Sequence, residues 1–363
     1  MSRSVLLLLT LCLIDAAFAD VDLADIQLAP GFSIEVYAEV PNARSLALGR
    51  NGVVYVSNSN RRADSVYAIL PGPGGRNRVF ELADDLETPN GIAYHDGDLY
   101  VAEISRVLVY RDIDNRLSNP PEPEILDIDL PSERHHGWRY IGFGPDNHLY
   151  ISIGAPCNIC DRPGFARIDR MLPDGSERQV WAEGVRNSVG LAWHPQTGEL
   201  WFTDNGRDML GDDLPPDELN HAPTGGLHFG FPYCHGGFFL DPKFGDGKNC
   251  DDYTAPARKL GAHVASLGLA FYTGTMFPEE YQGQILIAEH GSWNRSKKVG
   301  YRISLLRLED GQPATYEPFA EGWLQGQSAD GRPVDLLVIE DGSLLVSDDA
   351  SGVVYRIFYK DPQ

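Results

Sequence analysis

The side chains that could do chemistry in this sequence sit in short polar segments: Pro89-Asn90, His135-His136-Gly137-Trp138-Arg139, Arg186-Asn187 and Asp204-Asn205-Gly206-Arg207. Further along the chain come Glu289-His290-Gly291-Ser292-Trp293-Asn294-Arg295, Arg332 and Asp348-Asp349. A histidine titrates near neutrality and can take a proton from a hydroxyl. Guanidinium groups suit carboxylates, and an exposed indole beside hydrogen-bonding groups suits a flat ring. Taken singly, each segment has a plainer reading as a turn, an ion pair or a strand end. Brought together, a base, several arginines and oxygen-rich backbone make a site for a polyanionic cofactor, a cation and a hydroxylated substrate.

Whether they come together depends on the elements that carry them. A unit recurs along the chain: a short apolar strand, a tight Gly/Asp/Asn turn, and a second strand ending in small or acidic residues. Its copies are Ser45-Leu46-Ala47 with Val54-Tyr55-Val56, Gly91-Ile92-Ala93 with Leu99-Tyr100-Val101, and Tyr140-Ile141-Gly142 with Leu149-Tyr150-Ile151. They continue as Gly190-Leu191-Ala192 with Leu200-Trp201-Phe202, Gly268-Leu269-Ala270 with Ile285-Leu286-Ile287, and Asp335-Leu336-Leu337 with Leu344-Leu345-Val346. The turns Arg50-Asn51-Gly52, Asp96-Gly97-Asp98, Pro145-Asp146-Asn147 and Asp341-Gly342-Ser343 contain residues that tolerate left-handed backbone. Copies recur roughly every 45–60 residues, within reach of four-stranded propeller blades, and the wide fourth interval predicts an inserted loop around 238–262. The fold predicted is an all-β, six-bladed β-propeller. A β-sandwich would explain neither the number nor the phase of the repeats. A hairpin returns its two ends to the same side, so the polar segments before first strands and after second strands should share one face of the disc.

Composition bounds the setting. Arg3, the apolar run from Val5 to Ile14 and Ala17-Phe18-Ala19 before Asp20 read as an export signal over residues 1–19, leaving 20–363 as a single propeller domain. The run is too short to span a bilayer comfortably, and no second candidate follows it, so no membrane span is expected after cleavage. The formal net charge of -22 disfavours nucleic acid and anionic membranes as partners. With Cys12 in the signal, Cys157, Cys160, Cys234 and Cys250 remain, most simply as the disulfides Cys157–Cys160 and Cys234–Cys250 of a secreted or periplasmic protein. Asp161 follows the Cys-x-x-Cys pair where a haem attachment site would have histidine.

An ordered series then brings a family into view: Gly184-Val185-Arg186-Asn187-Ser188-Val189-Gly190-Leu191-Ala192, Thr203-Asp204-Asn205-Gly206-Arg207-Asp208, Asp217-Glu218-Leu219-Asn220 and Phe229-Gly230-Phe231-Pro232. It resembles the glucose/sorbosone dehydrogenases, whose soluble members are propellers carrying pyrroloquinoline quinone and calcium. His290-Gly291-Ser292-Trp293-Asn294-Arg295 and Gly331-Arg332-Pro333-Val334-Asp335 are similar to the L-sorbosone dehydrogenase branch. The resemblance implies His135 as general base and Arg186 and Asn187 as quinone contacts. It further implies Asn205 and Gly206 as carbonyl ligands of calcium, with Asp204 beside them and Glu218 in an acidic stretch tied to additional calcium binding. Arg332 and Arg295 would face the quinone carboxylates, His290 and Trp293 would line the site, and Asn90 would stand in for a glutamine-containing contact. The sequence departs from the family where a fifth-blade lysine is expected, and Val334 replaces a second arginine near Arg332.

The resulting expectation is an oxidoreductase that oxidises a sugar, aldose or sorbosone-like, and passes electrons through the quinone to an external acceptor. A calcium-dependent propeller lactonase or esterase and a non-catalytic extracellular binding propeller are the alternatives. His136 should point away from the site if the segment that carries it is extended.

Overall fold

The computed structural model describes residues 22–59 and 64–360; the expected signal segment lies outside them. The regular structure is strand and short 3₁₀ turn. Six sheets radiate as the blades of a propeller. Their innermost strands are Ala43–Leu48, Gly91–His95, Ile141–Phe143, Leu191–Trp193, Ser266–Phe271 and Pro333–Val338, and each adjoins the next around a closed ring. Each pairs antiparallel with the second strand of its hairpin, as the six repeats predict.

The turns form where the sequence supplies tolerant residues. Asn51, Asp96, Asn147 and Gly342 all take positive φ, between 48° and 84°. The second strands of the inner hairpins are buried throughout, save Asp98 at the start of the second blade's, so both of their faces are packed, and these faces stack between blades. Tyr55 and Val66 of the first blade meet Ile92 and Leu99 of the second. Tyr150 and Ile168 of the third meet Leu191 and Phe202 of the fourth. Val189, Leu267 and Val334 close the axis as an apolar plug beside Tyr140. Val334, which replaces an expected arginine, is therefore part of this plug.

Buried hydroxyls fasten neighbouring blades. Ser57 Oγ donates to Asn90 O at 2.5 Å, Thr203 Oγ1 to Leu267 O at 2.6 Å, and Ser347 Oγ to Arg44 O at 2.5 Å. The same Ser57 and Ser347 oxygens accept the N–H groups of Ser45 and Asp335, so each hydroxyl fixes the start of its own hairpin and that of the next blade. These bonds sit directly beneath the polar segments.

Two features depart from the sequence reading. The sixth blade takes its outer strand from the N-terminal Phe32–Glu39, which pairs with Val353–Tyr359 and closes the ring. The insertion begins before residue 238: it fills 223–257, and Arg258–Ala262 is the outer strand of the fourth blade. Both expected disulfides are formed, Cys157–Cys160 and Cys234–Cys250, the second bracing the insertion. No described helix is long and apolar enough to cross a membrane.

Candidate functional site

The ends of the inner hairpins converge on a cavity of about 740 Å³ on one face of the propeller, and all six blades contribute to its lining. The guanidinium side chains of Arg44, Arg134, Arg186 and Arg332 line it together with His135, His136, His290 and two indoles. Trp138 is 36 % exposed and Trp293 69 %, so both present ring surface to solvent.

His135 and His136 lie in a turn, and His136 adopts φ 49°. The segment is not extended, and both rings face the cavity with centroids 4.1 Å apart. That overturns the expectation that His136 points away. The two differ in what holds them: His136 Nδ1 bonds Ala155 O at 2.8 Å, whereas no described residue hydrogen-bonds either ring nitrogen of His135. Burial and then Arg186 lower the His135 pKa, against Asp208, which raises it. Buried Arg139 anchors the turn by donating to Ile104 O at 2.9 Å, Pro131 O at 2.8 Å and His136 O at 3.4 Å.

Arg186 and Asn187 enter the cavity from a backbone clamped by Asp204, whose carboxylate accepts their N–H groups at 2.7 and 2.6 Å. The Arg186 guanidinium donates to Asn205 O at 3.0 Å and pairs with Asp208 at 3.1 Å. Asn187 Oδ1 is buried without a hydrogen-bond partner among the described residues. Gly206 donates its N–H to Asp217 at 2.9 Å, and a Cβ there would come within 2.8 Å of Pro216 O. Only glycine lets this loop lie so close to the next strand.

On the other side, Asp349 links Arg44 and His290, each at 2.8 Å. Burial alone would raise the Asp349 carboxyl, but His290 and Arg44 bring it well below the usual carboxylate range. Arg332 donates to His290 O and Gly291 O, both at 3.1 Å.

Of the residues singled out by sequence, His135, Arg186, Asn187, His290, Trp293, Arg332, Asn205 and Gly206 line this cavity. Asn90 does not; it sits behind, accepting from Arg44 Nε at 3.1 Å, so it supports an arginine rather than reaching a ligand. Arg295 turns away to Asp212 O and Asp213 and lines a separate cavity of about 490 Å³. Asp204 and Glu218 face each other on paired strands below the loop and are spent on protein donors. Glu218 accepts from Gly236 N at 2.7 Å and Asn220 at 3.1 Å. Burial pushes both carboxyls up, Glu218 to about 7. The oxygens left to a cation here are Asn187 Oδ1 and the carbonyls of Gly206 and Asn205, the latter shared with Arg186; both Asp217 oxygens already accept N–H groups, from Gly206 and Ser266. Among the described residues, no cluster of three or more His, Cys, Asp or Glu side chains could hold a metal.

Arg44 and Arg134 were not among the expected residues. Both were marked by phase: Arg44 precedes Ser45 at the start of the first hairpin, and Arg134 precedes His135.

A family model described as TrAA12-like matches residues 173–360, just over half of the chain. The chain belongs to the TrAA12-like family. An uncharacterised protein of Borreliella burgdorferi is 32 % identical to this TrAA12-like chain, covering 91 % of it and 90 % of the relative. Two solved structures share the fold. A calcium structure of the Trichoderma reesei carbohydrate-active enzyme of family AA12 superposes with a TM-score of 0.80, at 19 % identity over 92 % of this chain and 97 % of that one. The holo pyranose dehydrogenase PQQ domain of Coprinopsis cinerea gives 0.79, also at 19 % identity over 92 % and 97 %.

Proposed function

We propose that this TrAA12-like propeller is a quinoprotein oxidoreductase that oxidises a sugar, with pyrroloquinoline quinone and calcium held in the six-bladed cavity. The observation that carries the reading is the set of four guanidinium side chains, Arg44, Arg134, Arg186 and Arg332, around a cavity that also holds a histidine, His135, that no described residue hydrogen-bonds. Arg44 and Arg186 are buried, Arg332 is half-buried and Arg134 is exposed at the rim, and four cations facing one space call for a polyanionic occupant. A tricarboxylate quinone meets that demand, and Asn187 Oδ1, buried without a partner among the described residues, offers an acceptor to a donor or a hard cation. The fold shared with a PQQ domain and with a calcium-bearing AA12 structure supports the same pair of groups.

Bound quinone supplies the acceptor for the electron pair that leaves an alcohol carbon, which an external acceptor later removes, and which no side chain can take. The chain's own residues do the rest. His135, whose ring nitrogens no described residue hydrogen-bonds, is placed to take the hydroxyl proton of the substrate. Its lowered pKa keeps it in the neutral, accepting form at physiological pH. Arg186 brings positive charge beside that base, and so favours negative charge developing in the cavity. Asn205 and Gly206 would offer carbonyl oxygens to calcium, Arg44 and Arg332 would answer the cofactor carboxylates, and Trp138 and Trp293 provide faces for a sugar ring.

A calcium-dependent lactonase would need free carboxylates around the axis. Here Asp208 is tied to Arg186, Asp217 to the N–H groups of Gly206 and Ser266, and Asp349 to Arg44 and His290. The test is reconstitution of calcium-loaded protein with the quinone, followed by dye reduction across aldoses and sorbosone-like aldehydes. Dye reduction that requires both quinone and calcium is expected. Quinone-independent lactone hydrolysis would replace this reading. The export signal, and with it a secreted or periplasmic location, belongs to the same proposal, and the two disulfides suit an oxidising compartment.

A further inference from the structure

Arg186 is buried, at 3 % exposure, and a guanidinium in such a place points only where its partners hold it. Two of its hydrogen bonds go to one residue outside its own blade. Nε donates to Asn158 O at 3.0 Å and Nη2 to Asn158 Oδ1 at 2.9 Å, so Asn158 grips one edge of the planar fork with both of its oxygens. Asn158 is itself fixed. Its Oδ1 also accepts the Asp208 N–H at 2.8 Å, and its Nδ2 donates to Asp208 O at 3.1 Å. Asp208 in turn pairs with Arg186. The four-residue loop that presents Asn158 is closed by the Cys157–Cys160 disulfide, which restricts its backbone at the third-blade side of the cavity.

We infer that Asn158, tethered between Cys157 and Cys160, is a positioning residue that fixes the direction of the Arg186 guanidinium in the cavity. The inference deepens the proposed function and rests on it for the consequence, namely that quinone affinity depends on Asn158 although Asn158 does not line the cavity. The disulfide then has a task beyond bracing a surface loop. It holds still a side chain that, together with Asp208 and the Asn205 carbonyl, aligns a buried cation with a ligand.

The experiment is a double-mutant cycle on the full mature chain, read by quinone titration and by nuclear magnetic resonance titration of the His135 ring. Asn158→Ala should weaken quinone binding by about tenfold or more, because it removes the Oδ1 that accepts from Arg186 Nη2 and from the Asp208 N–H, leaving only the Asn158 carbonyl on Nε. In an Arg186→Lys background the same change should cost less than about twofold, since the fork it aligns is gone. His135 feels Arg186 after burial as a force lowering its pKa, so freeing Arg186 should raise the His135 titration toward its ordinary value without any quinone present. Cys157→Ser combined with Cys160→Ser leaves Asn158 in place and should shift both readouts in the same direction. Wild-type protein that binds no quinone would defeat the proposed function and leave the His135 titration to decide this inference. Additive costs in the cycle, or a His135 titration unmoved in folded Asn158→Ala, would overturn it.

Discussion

His290 Nε2 meets Asp349 Oδ1 at 2.8 Å, joining the trailing ends of the fifth and sixth inner hairpins at the cavity wall. Asp349 reaches Arg44 of the first blade at the same distance, so one carboxylate ties together three neighbouring blades.

Asp349→Asn should therefore destabilise the propeller by about 3 kcal/mol near neutral pH, the usual cost of removing one partner of a buried pair. The folded pKa of Asp349 lies below its ordinary value, so this stability is present above about pH 4 and is lost as pH falls through the folded value. Thermal unfolding of both proteins from pH 7 to pH 3 checks it. The difference in midpoint should shrink at the acid end.

Replacing His135 by alanine should lower turnover by about 10²–10⁴-fold and leave quinone affinity nearly unchanged. Because burial and Arg186 depress its pKa, the acid limb of kcat/KM should fall below about 6.5, the ordinary histidine value. His136→Ala acts differently. It removes the bond to Ala155 O and a buried ring, and should cost about 1–3 kcal/mol of stability. Loss of turnover from His136→Ala in a stably folded protein, with His135→Ala mild, would move the base to His136.

Arg134 offers a cleaner probe of the cavity charge than its buried counterparts. Its pair with Glu87, at 2.7 Å, is exposed and contributes little to stability. Arg134→Ala should weaken quinone binding by about tenfold while the unfolding midpoint stays put. An unchanged affinity would remove Arg134 from the set.

The hydroxyls between blades predict a purely structural effect. Ser347→Ala leaves Asp335 N–H and Arg44 O without a buried partner and should cost about 1–3 kcal/mol, seen in denaturant unfolding.

Sequence made the inner hairpins legible because their turns obey local rules. Asn51, Asp96, Asn147 and Gly342 were chosen for backbone tolerance, and each takes positive φ. The phase argument worked for His135, Arg186 and Arg332 because a strand end has one way to face the axis. It failed at Arg295, two residues beyond the lining residue Trp293 and inside an irregular loop, where phase no longer fixes direction. Asp204 and Glu218 are expected as oxygen ligands from the resemblance, Asp204 in the loop before Asn205 and Glu218 in the acidic stretch after it. Nothing local could reveal that the N–H groups of Arg186, Asn187 and Gly236 would claim them. Closure by Phe32–Glu39 depends on pairing with Val353–Tyr359 at the opposite end of the chain, beyond any short-range pattern.

The central claim is that the arginine-lined cavity binds a quinone. Calorimetric titration of pyrroloquinoline quinone into calcium-loaded protein tests it most directly, run beside an Arg186→Ala, Arg332→Ala double variant. The account predicts one quinone per wild-type chain and a loss of affinity of at least about a hundredfold in the variant. Wild-type protein that binds no quinone, or a folded variant that binds it equally well, would contradict the account.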